Sequence, residues 1–312
     1  MTVALIDGDI IAYRAAVLGA DDFDGEEFFD PESVEQTVTH IVTDWTQKAK
    51  AGTQIVCLSD ESHRYFRHDI YPDYKGNRKD RQRPAALTHA YDCLKKNFKT
   101  TDRPGLEADD VMGILSGSPN LSDPVIVSID KDMLTVPAKL LNPDKMRKPM
   151  RIRKAWADRK MLLQALIGDR TDGYPGVEGI GPVKADKIIA QHPRLADCWE
   201  AVVEAFGSED AALTMTRLAR ILRPDDYNEE TGEIKLWHPT REIWIPSTTP
   251  STTGTENMKR STTSSRSSTR YPATKPSASR KSSNTSAATT KKKTRSKTSK
   301  KRNSTRSNSS SY

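Results

Sequence analysis

Apolar residues in the first 142 positions follow two alternating rhythms. Val3 to Ile6 is an unbroken apolar run ending at Asp7, and Gln54 to Leu58 is a second run ending at Ser59-Asp60. Short apolar runs bounded by polar residues predict buried strands. Between them Val34, Val38, Ile41, Val42 and Trp45 recur at helical spacing, which predicts a helix with one apolar face. The alternation continues: Leu87, Tyr91, Leu94 and Phe98 mark a second helix and Glu107 to Leu115 a third, then Pro124 to Ile129 reads as a strand closing on Asp130 and Lys139 to Asn142 as another. Strands alternating with helices imply an α/β fold, a mainly parallel sheet flanked by helices. From Asp158 to about Leu222 the pattern is helical throughout, with Met161, Leu162, Ala165 and Leu166 on one face and two Gly/Pro-rich breaks, so a second, helical unit follows. A turn-rich passage then leads to Ile234, Leu236 and Trp237, read as a short closing strand. No internal repeat is visible.

Composition narrows the possibilities. The 312 residues are 35% hydrophobic with a mean hydropathy of −0.70, and no stretch is apolar enough to span a bilayer, which excludes a membrane protein. The first apolar run is interrupted by Asp7 and Asp9 and lacks a basic start, which argues against a secretory signal and for a cytoplasmic protein. Cys57, Cys93 and Cys198 stand far apart among apolar neighbours, so they read as buried, inert thiols rather than a disulfide framework or a zinc site.

The net charge of +7 hides two opposite parts. Sixteen of the 49 Lys/Arg and one of the 42 acids, Glu256, lie in residues 246–312, which leaves 33 bases and 41 acids in the first 245 residues. The body is acidic by eight charges and the tail basic by fifteen. Thirty-four of the 67 tail residues are Ser or Thr, too little apolar surface to offset ordering entropy, so the tail is expected to be disordered. Runs such as Lys291-Lys292-Lys293 would be drawn to phosphate without reading sequence; a purely solvating tail has the same composition.

Carboxylates carry the candidate chemistry, because they recur where strands end. Ligands of an open α/β sheet gather outside the carboxyl ends of its strands, where Asp7, Asp60 and Asp130 each fall. Asp130 and Asp132 are two apart and on an extended chain point to one side. Glu107 and Asp110, with Asp109 beside them, share a face at a helix start, and Asp169 and Asp172 are three apart at the entrance of the helical unit. Singly, an acid at a helix start such as Glu107, Asp169 or Asp9 reads as a cap. Together they would repel unless cations neutralise them, and all-oxygen ligation suits Mg2+ or Mn2+. Two such ions would clamp a phosphodiester.

Two segments supply phosphate contacts. Tyr74, Lys75, Arg78 and Lys79 follow the second strand in a Gly/Asn-containing loop that leads toward a basic helix start with Arg81 and Arg83, and such a loop can offer cations and a stacking ring, or be no more than a solvated turn. Gly179-Ile180-Gly181-Pro182 opens a helix carrying Lys184 and Lys187 one turn apart, a hairpin suited to a DNA backbone, or an ordinary helix-helix turn.

The segments Leu5-Ile-Asp-Gly-Asp, Tyr74-Lys-Gly-Asn-Arg, Glu107-Ala-Asp-Asp, Ser128-Ile-Asp-Lys-Asp, Gly168-Asp-Arg-Thr-Asp-Gly and Gly176-Val-Glu-Gly-Ile-Gly resemble, in this order, the flap endonuclease / 5′-3′ exonuclease family. The match covers about residues 1 to 190. Leu218-Ala-Arg-Ile-Leu and Ile234-Lys-Leu-Trp-His-Pro look like the end of the small podophage exonucleases and extend it to about 240. The resemblance implies a PIN-like nuclease domain over 1–155, a helix-hairpin-helix-type DNA-binding domain of the three-turn variant over 156–245, and a tail over 246–312 without a family counterpart. It places first-metal ligands at Asp7, Asp60, Glu107, Asp109 and Asp110 and second-metal ligands at Asp130, Asp132, Asp169 and Asp172. It sets Lys75 and Arg78 on the scissile phosphate, Tyr74 near the DNA end, and Lys79, Gly179, Ile180, Gly181, Lys184 and Lys187 on DNA, with a potassium ion at the hairpin. One departure is the short span from Lys79 to Leu106, where flap endonucleases carry a long arch. That departure favours end-wise degradation of duplex over a threaded flap. The expected protein is therefore a monomeric two-metal 5′-3′ exonuclease of phage DNA replication, acting on duplex DNA and RNA primers in RNA:DNA hybrids, with a flap endonuclease as the alternative; a non-catalytic DNA-binding or packaging protein would not retain every acid.

Overall fold

The structure, a computed structural model, describes residues 1–23, 26–78 and 82–239. Lys79, Arg81 and the tail lie outside them. In chain order the elements are β1 (Val3–Asp7), α1 (Gly8–Leu18), the hairpin β2 (Ala20–Phe23) and β3 (Glu26–Phe29), α2 (Pro31–Lys48), β4 (Thr53–Cys57), α3 (Arg67–Ile70), α4 (Leu87–Asn97), β5 (Thr100–Thr101), α5 (Ala108–Leu115), β6 (Pro124–Val127), β7 (Lys139–Leu141) and β8 (Met150–Arg151). Then follow α6 (Lys154–Ile167), the two-residue strands β9 (Gly168–Asp169) and β10 (Tyr174–Pro175), α7 (Pro182–Ala190), α8 (Leu195–Phe206) and α9 (Glu209–Ala219).

The main sheet runs β5-β4-β1-β6-β7-β8, parallel throughout except that β8 is antiparallel to β7. All of β1 is buried, because it lies between two parallel neighbours and is covered on both faces. Ala4 and Ile6 face a cluster with Val38, Val42 and Trp45 of α2 and Leu94 of α4. Val3 and Leu5 face the opposite cluster with Val111 and Met112 of α5, as the two-residue strand period requires. A third cluster joins the helical unit: Leu162 and Leu166 of α6, Ile189 of α7, Trp199 of α8 and Met215 of α9, closed by Tyr74, Tyr174 and Trp237. All three cysteines are buried and free. Among the described residues no helix is long and apolar enough to cross a membrane.

Because β1, β4 and β6 run parallel, their carboxyl ends meet on one edge of the sheet. The chain turns from β1 into α1 at Gly8, where a Cβ would lie 2.5 Å from Leu58 Cδ2 and 2.8 Å from the Cys57 carbonyl oxygen; only glycine lets the helix start so close to β4. Several expectations are corrected. The strand before Asp130 ends at Val127, α6 begins at Lys154 rather than near Asp158, and the helical stretch is interrupted by the β9–β10 pair. Ile234 forms a single bridge to Tyr227 instead of a strand. Arg83 precedes α4 by four residues and lies in irregular chain, so it does not stand at a helix start.

Candidate active site

A basin of about 500 Å3 opens at the carboxyl ends of the parallel strands, lined by Asp7, Asp9, Glu107, Asp109, Asp130, Asp132, Asp169 and Asp172 together with Lys75, Arg78, Lys131 and Lys145. Each acid arrives by a local cause. Asp7 ends β1 and caps α1: its Oδ1 accepts the Ile10 amide at 3.2 Å and its Oδ2 accepts the Ser128 hydroxyl at 2.7 Å. Asp130 Oδ1 accepts the Asp132 amide at 2.8 Å, folding Asp132–Thr135 into a 3-10 turn. Asp130 and Asp132 therefore share the basin through a turn rather than through strand alternation. Asp169 Oδ1 accepts the Thr171 amide at 2.7 Å and the Asp172 amide at 3.3 Å, which turns Asp172 inward. Lys75 adopts a left-handed backbone at φ 55°, its amide donating to the Asp172 carbonyl at 2.7 Å.

The electrostatics are those of a crowded anion cluster. Burial, then Asp9, pushes the Asp7 carboxyl up to about 7, although Ser128 and Ile10 hold it back. Asp109 is pushed well up, first by burial and then by Asp130, Asp7 and Glu107. Burial and then Asp130 raise Asp132, and burial raises Asp172 against the pull of Lys75. Glu107 goes the other way. Burial would raise it, but Lys75 and Arg67 outweigh burial and hold it at about 2. At Asp169 burial is likewise outweighed, by the Lys131 ammonium together with the Thr171 and Asp172 amides, and the carboxyl is lowered. Ammonium groups occupy the gaps: Lys75 Nζ bonds to Glu107 and lies 3.7 Å from Asp172, while Lys131 Nζ stands 2.9 Å from both Asp132 and Asp169. As they stand, no three described His, Cys, Asp or Glu side chains form a closed metal nest. The donor chemistry nevertheless fits hard divalent cations: eight oxygen-only side chains, two with strongly raised proton affinity, and lysines already positioned as counter-charges.

Three expected site residues are placed differently. Asp60 does not reach the basin: its carboxylate accepts the Gly105 amide at 2.7 Å and the Ser62 amide at 3.1 Å, which hold it against the Gly105 loop. Asp110, in the first turn of α5, is fully buried, gripped by Arg67 at 2.6 and 2.8 Å and by the Leu222 amide at 3.0 Å, so of the Glu107-Ala-Asp-Asp acids only Glu107 and Asp109 face the basin. Tyr74 offers no free ring to a DNA end. It is 3% exposed, packs against Tyr174, and donates its hydroxyl to Glu107 at 2.9 Å and Asp172 at 3.1 Å. Arg78 donates to Asp172 at 2.7 Å.

Sequence reading missed four contributors. Asp9 is no cap; it lines the basin and accepts the Ser59 amide at 3.2 Å. Lys131, flanked in sequence by Asp130 and Asp132, was legible as their counter-charge. Arg67 and Ser128 reach their partners only through the fold. At the second candidate segment, Gly179 has φ 71°, Gly181 caps α7 with Pro182 in its first turn, and Ile180 packs partly against the helical cluster. Lys184 Nζ donates to the Gly179 carbonyl at 2.8 Å, and Lys187 is exposed.

Residues 2–161 match the family model described as 5′-3′ exonuclease, N-terminal resolvase-like domain. The chain belongs to the 5′-3′ exonuclease family. It is 28% identical over 282 residues to the exonuclease of Escherichia phage T7, covering 76% of this chain and 93% of the phage protein. In fold, this exonuclease family member is similar to a phage T5 protein co-crystallised with metal ions (TM-score 0.56, 20% identity, 72% of this chain and 90% of the other). It is also similar to the phage T5 flap endonuclease in a complex with DNA and metal ions (TM-score 0.53, 20% identity, 72% and 90%). It is a hydrolytic 5′-3′ nuclease.

Proposed function

We propose that this nuclease removes nucleotides from 5′ ends of duplex DNA, and of RNA in RNA:DNA hybrids, with two divalent ions, Mg2+ or Mn2+, held in the acidic basin. The observation that carries the reading is the convergence of eight carboxylates with Lys75 and Arg78 in one basin. Asp7, Asp9, Glu107 and Asp109 would hold one ion, and Asp130, Asp132, Asp169 and Asp172 the other. When bound, the ions lower the proton affinity of the attacking water and stabilise the leaving oxygen. Lys75 and Arg78 would orient the scissile phosphate and offset the charge that develops on it, while Tyr74 fixes Glu107 and Asp172 from behind.

The short span after Arg78 supports an exonuclease over a threading flap endonuclease. Residues 82–106 carry α4, whose Ala90, Cys93 and Leu94 are buried in the core, and β5, which pairs with β4; that much of the span is committed to the sheet and its cover. The hairpin at Gly179, Ile180 and Gly181, with Lys187, is assigned to the DNA backbone and a potassium ion. The units are assigned as nuclease (1–155), DNA-gripping (156–245) and basic tail (246–312), in a monomer acting in phage DNA replication in the host cytoplasm. Incubating 5′-labelled nicked, flapped and RNA:DNA hybrid duplexes with Mg2+, and in parallel with EDTA, tests the reading. Mononucleotides or short products from nicked and hybrid substrates, and none in EDTA, are expected; a single cut at the flap junction or EDTA-resistant cleavage would overturn it.

A further inference from the structure

Arg67 is 3% exposed and does not line the basin, yet all five of its N–H donors are committed. Nε donates to the Leu218 carbonyl at 3.2 Å, Nη1 to Glu107 Oε2 at 2.8 Å and Asp110 Oδ2 at 2.6 Å, and Nη2 to Asp110 Oδ1 at 2.8 Å and the Arg220 carbonyl at 2.6 Å. The acceptors come from two places far apart in sequence. Glu107 and Asp110 open α5, whereas Leu218 and Arg220 are the last turn and C-cap of α9. The Leu222 amide closes the circuit by donating to Asp110 Oδ1 at 3.0 Å. Glu107 Oε2 thus takes its orientation from Arg67 and Tyr74, leaving Oε1 to meet Lys75 at the basin.

A planar guanidinium with every donor satisfied tolerates little displacement of any acceptor. A hydrophobic contact would seal α9 against α5 equally well and without direction; the fork adds direction, and that direction ends on a basin carboxylate. We propose that Arg67 is a positioning residue for Glu107, tying the carboxylate's orientation in the metal basin to the placement of the end of α9. This rests on the reading of the basin as a divalent-metal centre.

The test is a mutant cycle on the full chain: wild type, Arg67→Lys, Glu107→Ala and the double variant, each titrated with Mn2+ by calorimetry and assayed for duplex affinity and single-turnover cleavage. Arg67→Lys is expected to weaken Mn2+ binding and slow cleavage by about 10- to 100-fold, the usual effect of a residue supporting a metal ligand, with duplex affinity within about threefold. In the Glu107→Ala background the same change should leave Mn2+ affinity unaltered, because the residue through which it acts is gone. A purely structural arginine would lower Mn2+ affinity by the same factor in both backgrounds, which would overturn the proposal. Where circular dichroism shows Arg67→Lys unfolded, Arg67→Gln carries the same cycle. A wild type that cleaves and binds Mn2+ but gives a multiplicative cycle refutes only the role of Arg67; a wild type that does neither refutes the metal reading and this inference with it.

Discussion

Replacing Lys75 by Met separates the electrostatic work of this side chain from its packing. In the metal-free fold its ammonium is the first of two cations holding Glu107 at about 2 against an ordinary value of 4.5. A gap of about 2.5 corresponds to about 3 kcal/mol of folding stability. The sign follows from the lowered value: the stability is fully present above 4.5 and is lost as the pH falls through about 2. Lys75 is the larger of the two cationic causes, with a hydrogen bond besides, and is assigned somewhat more than half, about 2 kcal/mol. Urea denaturation in EDTA, followed by circular dichroism, should therefore show Lys75→Met less stable by about 2 kcal/mol at pH 7, with the deficit narrowing by roughly a third at pH 3 as Glu107 begins to protonate. Turnover with Mg2+ should fall about 10²- to 10³-fold, as for removal of one preorganised charge at a reacting group. A deficit identical at pH 7 and pH 3 would mean that Lys75 stabilises by packing alone, and the electrostatic account of Glu107 would fail.

Asp132→Asn should reduce single-turnover cleavage by at least about 100-fold while gel-shift affinity for duplex stays within about twofold, since it touches the basin but not the hairpin. Gly168→Ala should destabilise the fold by more than about 2 kcal/mol in urea melts, because φ is 73° and the added Cβ would lie 2.1 Å from the Gly176 amide nitrogen. Truncation after Ile245 removes sixteen basic residues and one acid. It should leave the rate at saturating DNA unchanged but weaken low-salt binding and flatten its salt dependence, as measured by binding isotherms across a salt series.

The strands were legible where burial on both faces makes the residue pattern continuous. Val3 to Ile6 could only be a central strand or a helix fragment, and Asp7 followed by Gly8 ended it. Helix α2 was legible because Val34, Val38, Val42 and Trp45 form one buried stripe. The β2–β3 hairpin was not, since neither of its strands shows an apolar–polar alternation, and β5 and β8, two residues each, are too short for any period to register. The start of α6 was missed because its first turn has no side-chain cap.

At the site, sequence spacing located the acid clusters but not which member of each faces the basin. Glu107, Asp109 and Asp110 lie within four positions at the start of α5, and sharing a helix face would pair Glu107 with Asp110. They do share a partner, Arg67, but that partner turns Asp110 into the core and leaves Asp109 to join Glu107 at the basin. The choice is made by a guanidinium 43 residues upstream of Asp110 and by carbonyls 151 and 153 residues beyond that guanidinium. No local pattern encodes such distances. Asp60 and Asp130 each stand three residues past a strand end, and their partners separate them: Asp60 is held by the Gly105 and Ser62 amides, whereas Asp130 accepts the Asp132 amide and lines the basin. Proximity to a strand end therefore nominates a basin carboxylate; the polar contacts that fix the following turn decide whether it faces the basin.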